Sequence, residues 1–297
     1  MENLDKYHQA VADSKVTGDD AAVKAAIDKI LAEHLQENMN KEVFKTVLNS
    51  IDLTTLTSTD SPQSVARFTE RVNAFDNDYP QLPNVAAICV YPNFVPVVRT
   101  VLDVADVEIA AVSGAFPSSQ SFPEVKVAET ALAIEAGADE IDIVFNLGNY
   151  LDGDFEEVCD EITELKHACR GGKLKVIIES GALKTAEHIK AASVLSLYAG
   201  ADFLKTSTGK EYPGASLEAA YVMALCIKEY YEKTGNRVGF KAAGGVRTTE
   251  DAVKYYTIIK EVLGEEWLSN EYFRIGASSL ANAVLGDILD QPGIKFF

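Results

Sequence analysis

Short apolar runs alternate with longer segments of helical periodicity along most of the chain. Strand-like runs fall near 46–52, 85–90, 109–113, 139–145, 174–179, 201–205, 237–242 and 272–276. Helix-like segments follow them at 62–76, 94–103, 122–136, 154–170, 184–198, 216–233, 249–263 and 279–289. The punctuation agrees with the periodicity. Ser61-Pro62 supplies an N-cap and a proline suited to the first helical position. Gly137 and Gly200 close their helices in matching contexts, Glu135-Ala136-Gly137-Ala138-Asp139 and Tyr198-Ala199-Gly200-Ala201-Asp202. Eight successive βα units predict a closed parallel sheet, a (β/α)8 TIM barrel. A doubly wound open sheet is the alternative, but no Gly-x-Gly-x-x-Gly turn follows the first strand.

Residues 1–44 precede this repeat. Asp20 to Gln36 reads as an amphipathic helix, with Val23, Ile27, Ile30, Leu31 and Leu35 on one stripe. It is expected to pack on the barrel's outside or to cover its N-terminal end. The chain thus divides into an N-terminal helical extension, 1–44, and a barrel with a short C-terminal tail, 45–297.

Composition narrows the function. Of 297 residues 47% are hydrophobic, ample for one large core, and the net charge of −18 comes with no long basic block. Binding to nucleic-acid backbones or to an anionic membrane surface is therefore not expected. The start, Met1-Glu2-Asn3-Leu4-Asp5-Lys6, is too polar for a signal peptide, and apolar runs such as 85–90 are too short to span a bilayer. Cys89, Cys159, Cys169 and Cys226 have no zinc-type spacing and read as reduced thiols of a cytoplasmic protein.

Candidate chemistry gathers at the strand ends, where barrels of this kind place catalytic residues. The segment Ala201-Asp202-Phe203-Leu204-Lys205-Thr206-Ser207-Thr208-Gly209-Lys210 begins apolar yet sets Lys205 on the face it shares with Phe203. Burial disfavours an ammonium, and a neutral amine is a good nucleophile toward carbonyls. Lys241 repeats the situation in Gly239-Phe240-Lys241-Ala242-Ala243-Gly244-Gly245-Val246-Arg247. A second ammonium nearby would keep Lys205 partly neutral. Asp52, Asp142, Glu179 and Ser180 lie in or at the ends of other strands, with Cys89 near the end of the second. Lys205 is positioned to form an iminium with an aldehyde or ketone, and Asp142 to pass protons through water. A buried Lys–Asp ion pair is the purely structural alternative. His8, His34, His167 and His188 fall in the extension or on helices, so metal chemistry is not expected.

A second signal is independent of the first. Gly209-Lys210, Gly244-Gly245-Val246-Arg247 and Gly276-Ala277-Ser278-Ser279 follow three consecutive strands. Barrels often bind phosphate in the loops after the seventh and eighth strands, at a short helix N-terminus. Tight turns alone would explain each glycine singly; three such loops together point to a phosphate.

With these residues in view, the chain resembles the class I deoxyribose-phosphate aldolases (2-deoxy-D-ribose 5-phosphate aldolases) over roughly residues 45–285. Phe203 to Lys210 and Gly239 to Thr248 are the strongest marks. Ile51-Asp52-Leu53-Thr54-Thr55-Leu56, Ile88-Cys89-Val90-Tyr91-Pro92, Ala138 to Asn146 and Ile275 to Leu280 support them. The resemblance implies that Lys205 is the Schiff-base lysine, Lys241 the second catalytic lysine and Asp142 the proton donor and acceptor. It implies a phosphate held by Gly209, Lys210, Gly244, Gly245, Arg247, Ser278 and Ser279, with Thr206 and Gly276 in the same loops and Asp52 bonded to a substrate hydroxyl. Cys89 would lie near the pocket. The reaction implied is reversible cleavage of 2-deoxy-D-ribose 5-phosphate to D-glyceraldehyde 3-phosphate and acetaldehyde, with no metal or organic cofactor; a homodimer is the default expectation for such a chain. Two features depart from the family pattern: a long extension before residue 45, and an ending in Phe296-Phe297 where many bacterial members carry a tyrosine. A Schiff-base aldolase or transaldolase with another donor, and a non-catalytic phosphosugar-binding barrel, are the rival readings.

Overall fold

The computed structural model describes residues 6–297. The polar start at 1–5, read above as lacking an export signal, lies outside the described residues. Three helices come first: α1 (Lys6–Asp13), α2 (Asp20–Asn38) and α3 (Lys41–Asn49). The first barrel half follows with β1 (Ile51–Thr54), α4 (Pro62–Asp78), β2 (Ala87–Val90), α5 (Val95–Val101), β3 (Glu108–Ser113), α6 (Pro123–Glu135), β4 (Glu140–Val144), α7 (Leu147–Leu151) and α8 (Phe155–Ala168). The second half holds β5 (Lys173–Ile177), α9 (Ser180–Leu183), α10 (Ala186–Tyr198), β6 (Phe203–Lys205), α11 (Leu217–Thr234), β7 (Gly239–Ala243), α12 (Thr249–Leu263), β8 (Phe273–Ala277) and α13 (Leu280–Leu289). All strands pair in parallel and in chain order, β8 closing on β1. The expected (β/α)8 TIM barrel is the observed one.

Local chemistry explains the boundaries. Ser61 and Ser64 form a reciprocal capping box ahead of Pro62, which starts α4. The matching Gly-Ala-Asp turns do matching work. Gly137 and Gly200 adopt φ of 107° and 101°, which only glycine takes without strain. Each following aspartate then caps the start of the preceding strand. Asp139 accepts from the Ile109 amide at 2.9 Å, and Asp202 from the Leu174 amide at 2.6 Å. A cation from an outer helix seals each, Arg99 on Asp139 and Lys166 on Asp202.

The strand expected near 46–52 is corrected. Asn40 accepts from the amides of Glu42 and Val43, starting α3 instead. Val43 and Val47 are spaced four apart and buried together with Leu48, so the apolar run follows the helical period and β1 begins only at Ile51. Helix α2 lies on the barrel's outside against α11 and α12, with Val23 and Ile27 buried and Ile30, Leu31 and Leu35 packed beside them. Each such fully buried aliphatic side chain contributes about 1.5–3 kcal/mol. Asn38 at its end donates to Thr257 Oγ1 of α12 at 3.1 Å.

The space enclosed by the strands is divided by chemistry. Along β2 and β3 it is filled by Ala87, Cys89, Ala110 and Val112, packed with Leu56. From β4 round to β1 it is filled by charged side chains, all of them buried.

Candidate active site

Lys205 is the last residue of β6, and the register sets it directly beside Lys241 of β7. Side chains on neighbouring parallel strands at matched positions share a face. Both lysines therefore reach one carboxylate. Lys205 Nζ lies 2.7 Å and Lys241 Nζ 2.8 Å from Asp142 Oδ2, while Lys175 Nζ reaches Asp142 Oδ1 at 3.1 Å. Lys241 also donates to Asp52, whose other oxygen accepts from Arg274 Nη1 at 2.7 Å. Glu140 accepts from Lys175 and, at 3.0 Å, from Arg274 Nη2. Two further details make room for this array. Phe203 fills the space beside Gly239, where a Cβ would overlap its ring, and Gly276 leaves clearance for the Lys241 side chain.

Burial alone would raise the carboxyl of Asp142, but Lys175, Lys205 and Lys241 outweigh it and hold the group well below the usual carboxylate range. Asp52 is held low in the same way by Lys241, Lys175 and Arg274. The two register-paired lysines separate. Burial and the Lys241 charge depress Lys205 against the opposing pull of Asp142. Lys241 is raised, since Asp142 and Asp52 together overcome its burial. One amine is thereby biased toward the free base and its neighbour toward the cation, the kind of division a nucleophile and an electrostatic partner require.

Above Lys205 opens a cleft of about 400 Å³, lined by Gly209 and Lys210, by Gly244, Gly245 and Arg247, and by Gly276, Ser278 and Ser279. These come from the loops after β6 and β7, from the end of β8 and from the loop after it. Helix α13 begins immediately after Ser279 with no side-chain cap bond, leaving amide N–H groups for an anion. Lys210 Nζ donates to the Leu56 carbonyl, linking the β6 and β1 loops. Glu179, buried at φ 52°, clamps the β6 loop by accepting from Thr208 Oγ1 at 2.6 Å and from its amide at 3.1 Å.

The structure thus brings Lys205, Lys241, Asp142 and Asp52 into one network, and eight of the candidate phosphate residues around one cleft. Thr206 and Cys89 do not line that cleft. Thr206 is buried and stitches β6 to β7 through the Ala243 amide and carbonyl. Cys89 is buried with small apolar residues behind it but close to the network, so burial pushes its thiol up while it feels the charges of Lys241, Asp142, Lys205 and Asp52. Asp52 is buried beneath the lysines and does not line the cleft. Sequence reasoning missed Lys175, Glu140 and Arg274, buried charges within the first three residues of β5, β4 and β8. It also passed over Thr54, Thr55, Thr57 and Phe68, which line the cleft from the β1 side. The C-terminal tail packs on α4 and α13. Phe296 and Phe297 stack around Phe75, and Asn282 binds their backbone. Among the described residues, the side chains grouped closely enough to hold a metal ion are His34, Glu37 and Glu261, on α2 and α12.

An amine depressed by burial and held against a carboxylate, at the foot of a phosphate-sized cleft, suits carbon–carbon bond cleavage through an imine. Fold and site together define a lyase of the aldolase class. The chain belongs to the DeoC/LacD family of aldolases, whose family model matches residues 46–283. It is 38% identical over 244 residues to a deoxyribose-phosphate aldolase of Homo sapiens, covering 79% of this chain and 77% of that one. A Mus musculus deoxyribose-phosphate aldolase is 36% identical over 283 residues, covering 91% and 89%. A solved deoxyribose phosphate aldolase from Aeropyrum pernix, described as tetrameric, superposes with a TM-score of 0.66 at 25% identity, covering 86% of this chain and 96% of that chain.

Proposed function

We infer that this chain is a Schiff-base lyase that cleaves 2-deoxy-D-ribose 5-phosphate reversibly to D-glyceraldehyde 3-phosphate and acetaldehyde. The observation that carries the reading is the pair of lysines sharing Asp142 Oδ2 beneath the cleft. The neutral Nζ of Lys205 attacks C1 of the open-chain sugar, and the carbinolamine loses water to give an iminium. The 3-hydroxyl proton is removed and the C2–C3 bond breaks. Its electron pair moves into the iminium as an enamine, and glyceraldehyde 3-phosphate departs. Protonation at C2 and hydrolysis of the imine then release acetaldehyde and return the amine. Asp142 exchanges the protons through water, while the Lys241 cation stabilises negative charge as it develops. The iminium is itself the electron sink, so the sequence of steps calls for no metal or organic cofactor.

The phosphate sits against Gly209, Gly244, Gly245, Gly276, Ser278 and Ser279, with Lys210 and Arg247 supplying charge. The place of action is the cytoplasm, a reading supported by the disulfide-free, buried thiols of Cys89, Cys169 and Cys226. No described helix is long and apolar enough to cross a membrane. The chain works as a homodimer, for which Phe122, Val125 and Leu132 of the α6 region, all strongly exposed, offer an apolar face.

Acetaldehyde release from 2-deoxy-D-ribose 5-phosphate, followed by a coupled reductase, tests the activity. Turnover is expected with the intact chain, and a loss of at least about 1,000-fold with Lys205→Leu, retaining phosphate-ester binding. Cleavage only of substrates built from dihydroxyacetone phosphate would replace the donor. Appreciable turnover by Lys205→Leu would remove the mechanism.

A further inference from the structure

Proximity to Lys241 is only part of what frees the Lys205 amine. Among the described residues, the buried array contains three carboxylates, Asp52, Glu140 and Asp142, and four basic groups, Lys175, Lys205, Lys241 and Arg274. An array of charges withdrawn from water is stable only when its sum stays near zero. Three cations suffice, so one basic group must give up its proton. Arginine does not. Lys241 contacts two carboxylates, Asp52 and Asp142. Lys175 reaches all three, Glu140 and Asp142 directly and Asp52 at 3.6 Å. Lys205 contacts Asp142 alone and stands closest to the cleft, so it is the least compensated of the four.

We propose that Lys175 and Glu140 are positioning residues that set the protonation state of Lys205 through the charge balance of the array. Lys175 completes the third cation, so the carboxylates have no need of a fourth. The proposal rests on Lys205 being the Schiff-base lysine. The rest of the surroundings do not upset the count. From the β2 and β3 wall the one titratable group facing the array, among the described residues, is the Cys89 thiol, which burial pushes up and which feels Lys241, Asp142, Lys205 and Asp52. Glu179, buried beyond β5, also feels the Lys205 charge, but burial pushes its carboxyl up and its bonds go to the Thr208 hydroxyl and amide rather than to a cation of the array. Lys210 lies at the solvent-facing cleft, bound to the Leu56 carbonyl. At the opposite end of the barrel, Lys173 stands 3.8 Å from Glu140 but is 39% exposed, and Glu108 shares that end with it.

The pH profile of kcat/KM for deoxyribose phosphate cleavage reads this directly, since its acid limb reports the ionisation that frees the nucleophile in the unbound enzyme. That limb belongs to the coupled array as a whole. Lys175→Met leaves the carboxylates one cation short, so Lys205 retains its proton and the limb moves up by about one to two pH units. Glu140→Gln removes a negative charge and moves the limb down. The double variant Lys175→Met with Glu140→Gln has two carboxylates against Lys241 and Arg274, and its limb returns to within about half a unit of the original. Loss of packing alone would lower the rate at every pH and leave the limb in place. A limb unmoved in Glu140→Gln, or moved the same way by both single changes, overturns the proposal. Should Lys175→Met fail to fold, Glu140→Gln and the double variant still decide. Borohydride trapping of the unmodified chain separates the two layers. An acetaldehyde adduct on Lys205 with an unmoved limb removes only the charge-balance account, whereas no adduct removes the nucleophile as well.

Discussion

At the scale of single residues, what made Lys205 and Lys241 legible was a contradiction between residue and place. Each is a lysine in a strand whose other residues demand burial, a costly placement unless the group is paired or used. Asp142 was readable for the same reason. Lys175, Glu140 and Arg274 obey the same logic but stand at or near the beginnings of their strands, where a charge looks like an approach from solvent. Only closure of β8 on β1 sets Arg274 against Asp52 and Glu140, and no local pattern contains that pairing. Asp52 was placed on a substrate hydroxyl by resemblance. In the structure its two oxygens are engaged by Lys241 and Arg274, so its contact with the chemistry runs through Lys241. Thr206 was a binding candidate by the same resemblance; in the structure its hydroxyl bonds the Ala243 carbonyl and amide and does not line the cleft.

At the scale of elements, strand and helix order followed from periodicity and caps, while the loops carried information that periodicity does not encode. The β1 boundary slipped because Val47, Leu48 and Ile51 read as one short apolar run, although Val47 and Leu48 belong with Val43 to a helical face. The glycines of the cleft loops were read as phosphate contacts, but several also fix one loop on another. Gly214 lies so close to the Gly244 carbonyl that an added Cβ would overlap it, and the Ala215 amide bonds to the Ala243 and Gly244 carbonyls at 3.0 Å. Gly214→Ala must therefore displace the β7 loop. With the phosphate held as proposed, by groups remote from the reacting carbons, a rise of at least about tenfold in KM for the phosphosugar is expected, with a smaller change in kcat. Steady-state kinetics check this, and an unchanged KM would mean that the β7 loop does not hold the phosphate. The tail illustrates a limit of composition. Phe296 and Phe297 could be read only as lacking a proton to relay, whereas their stacking on Phe75 and Tyr79 is set by tertiary packing.

At the scale of the whole molecule, a net charge of −18 sets copies of the chain apart electrostatically. Association therefore has to come from an uncharged face. The α6 region offers Phe122, Val125 and Leu132 at spacings of three and seven, one stripe of a helix turned to solvent. Sedimentation velocity is expected to show a dimer whose dissociation constant rises at least about 100-fold in Val125→Asp, as for loss of a central apolar contact. A monomer at micromolar concentration, or a dimer indifferent to Val125→Asp, would place association elsewhere or remove it. Overall architecture was the most legible feature of all, because eight βα units leave few topologies open.

The central claim is that Lys205 is the nucleophile and acetaldehyde its donor. Borohydride reduction in the presence of acetaldehyde, followed by peptide mass spectrometry, tests it most directly, with dihydroxyacetone phosphate run in parallel. A reduced two-carbon adduct on Lys205, formed with acetaldehyde alone, is the expected result. An adduct on another lysine, or only with dihydroxyacetone phosphate, or none at all, would contradict the account.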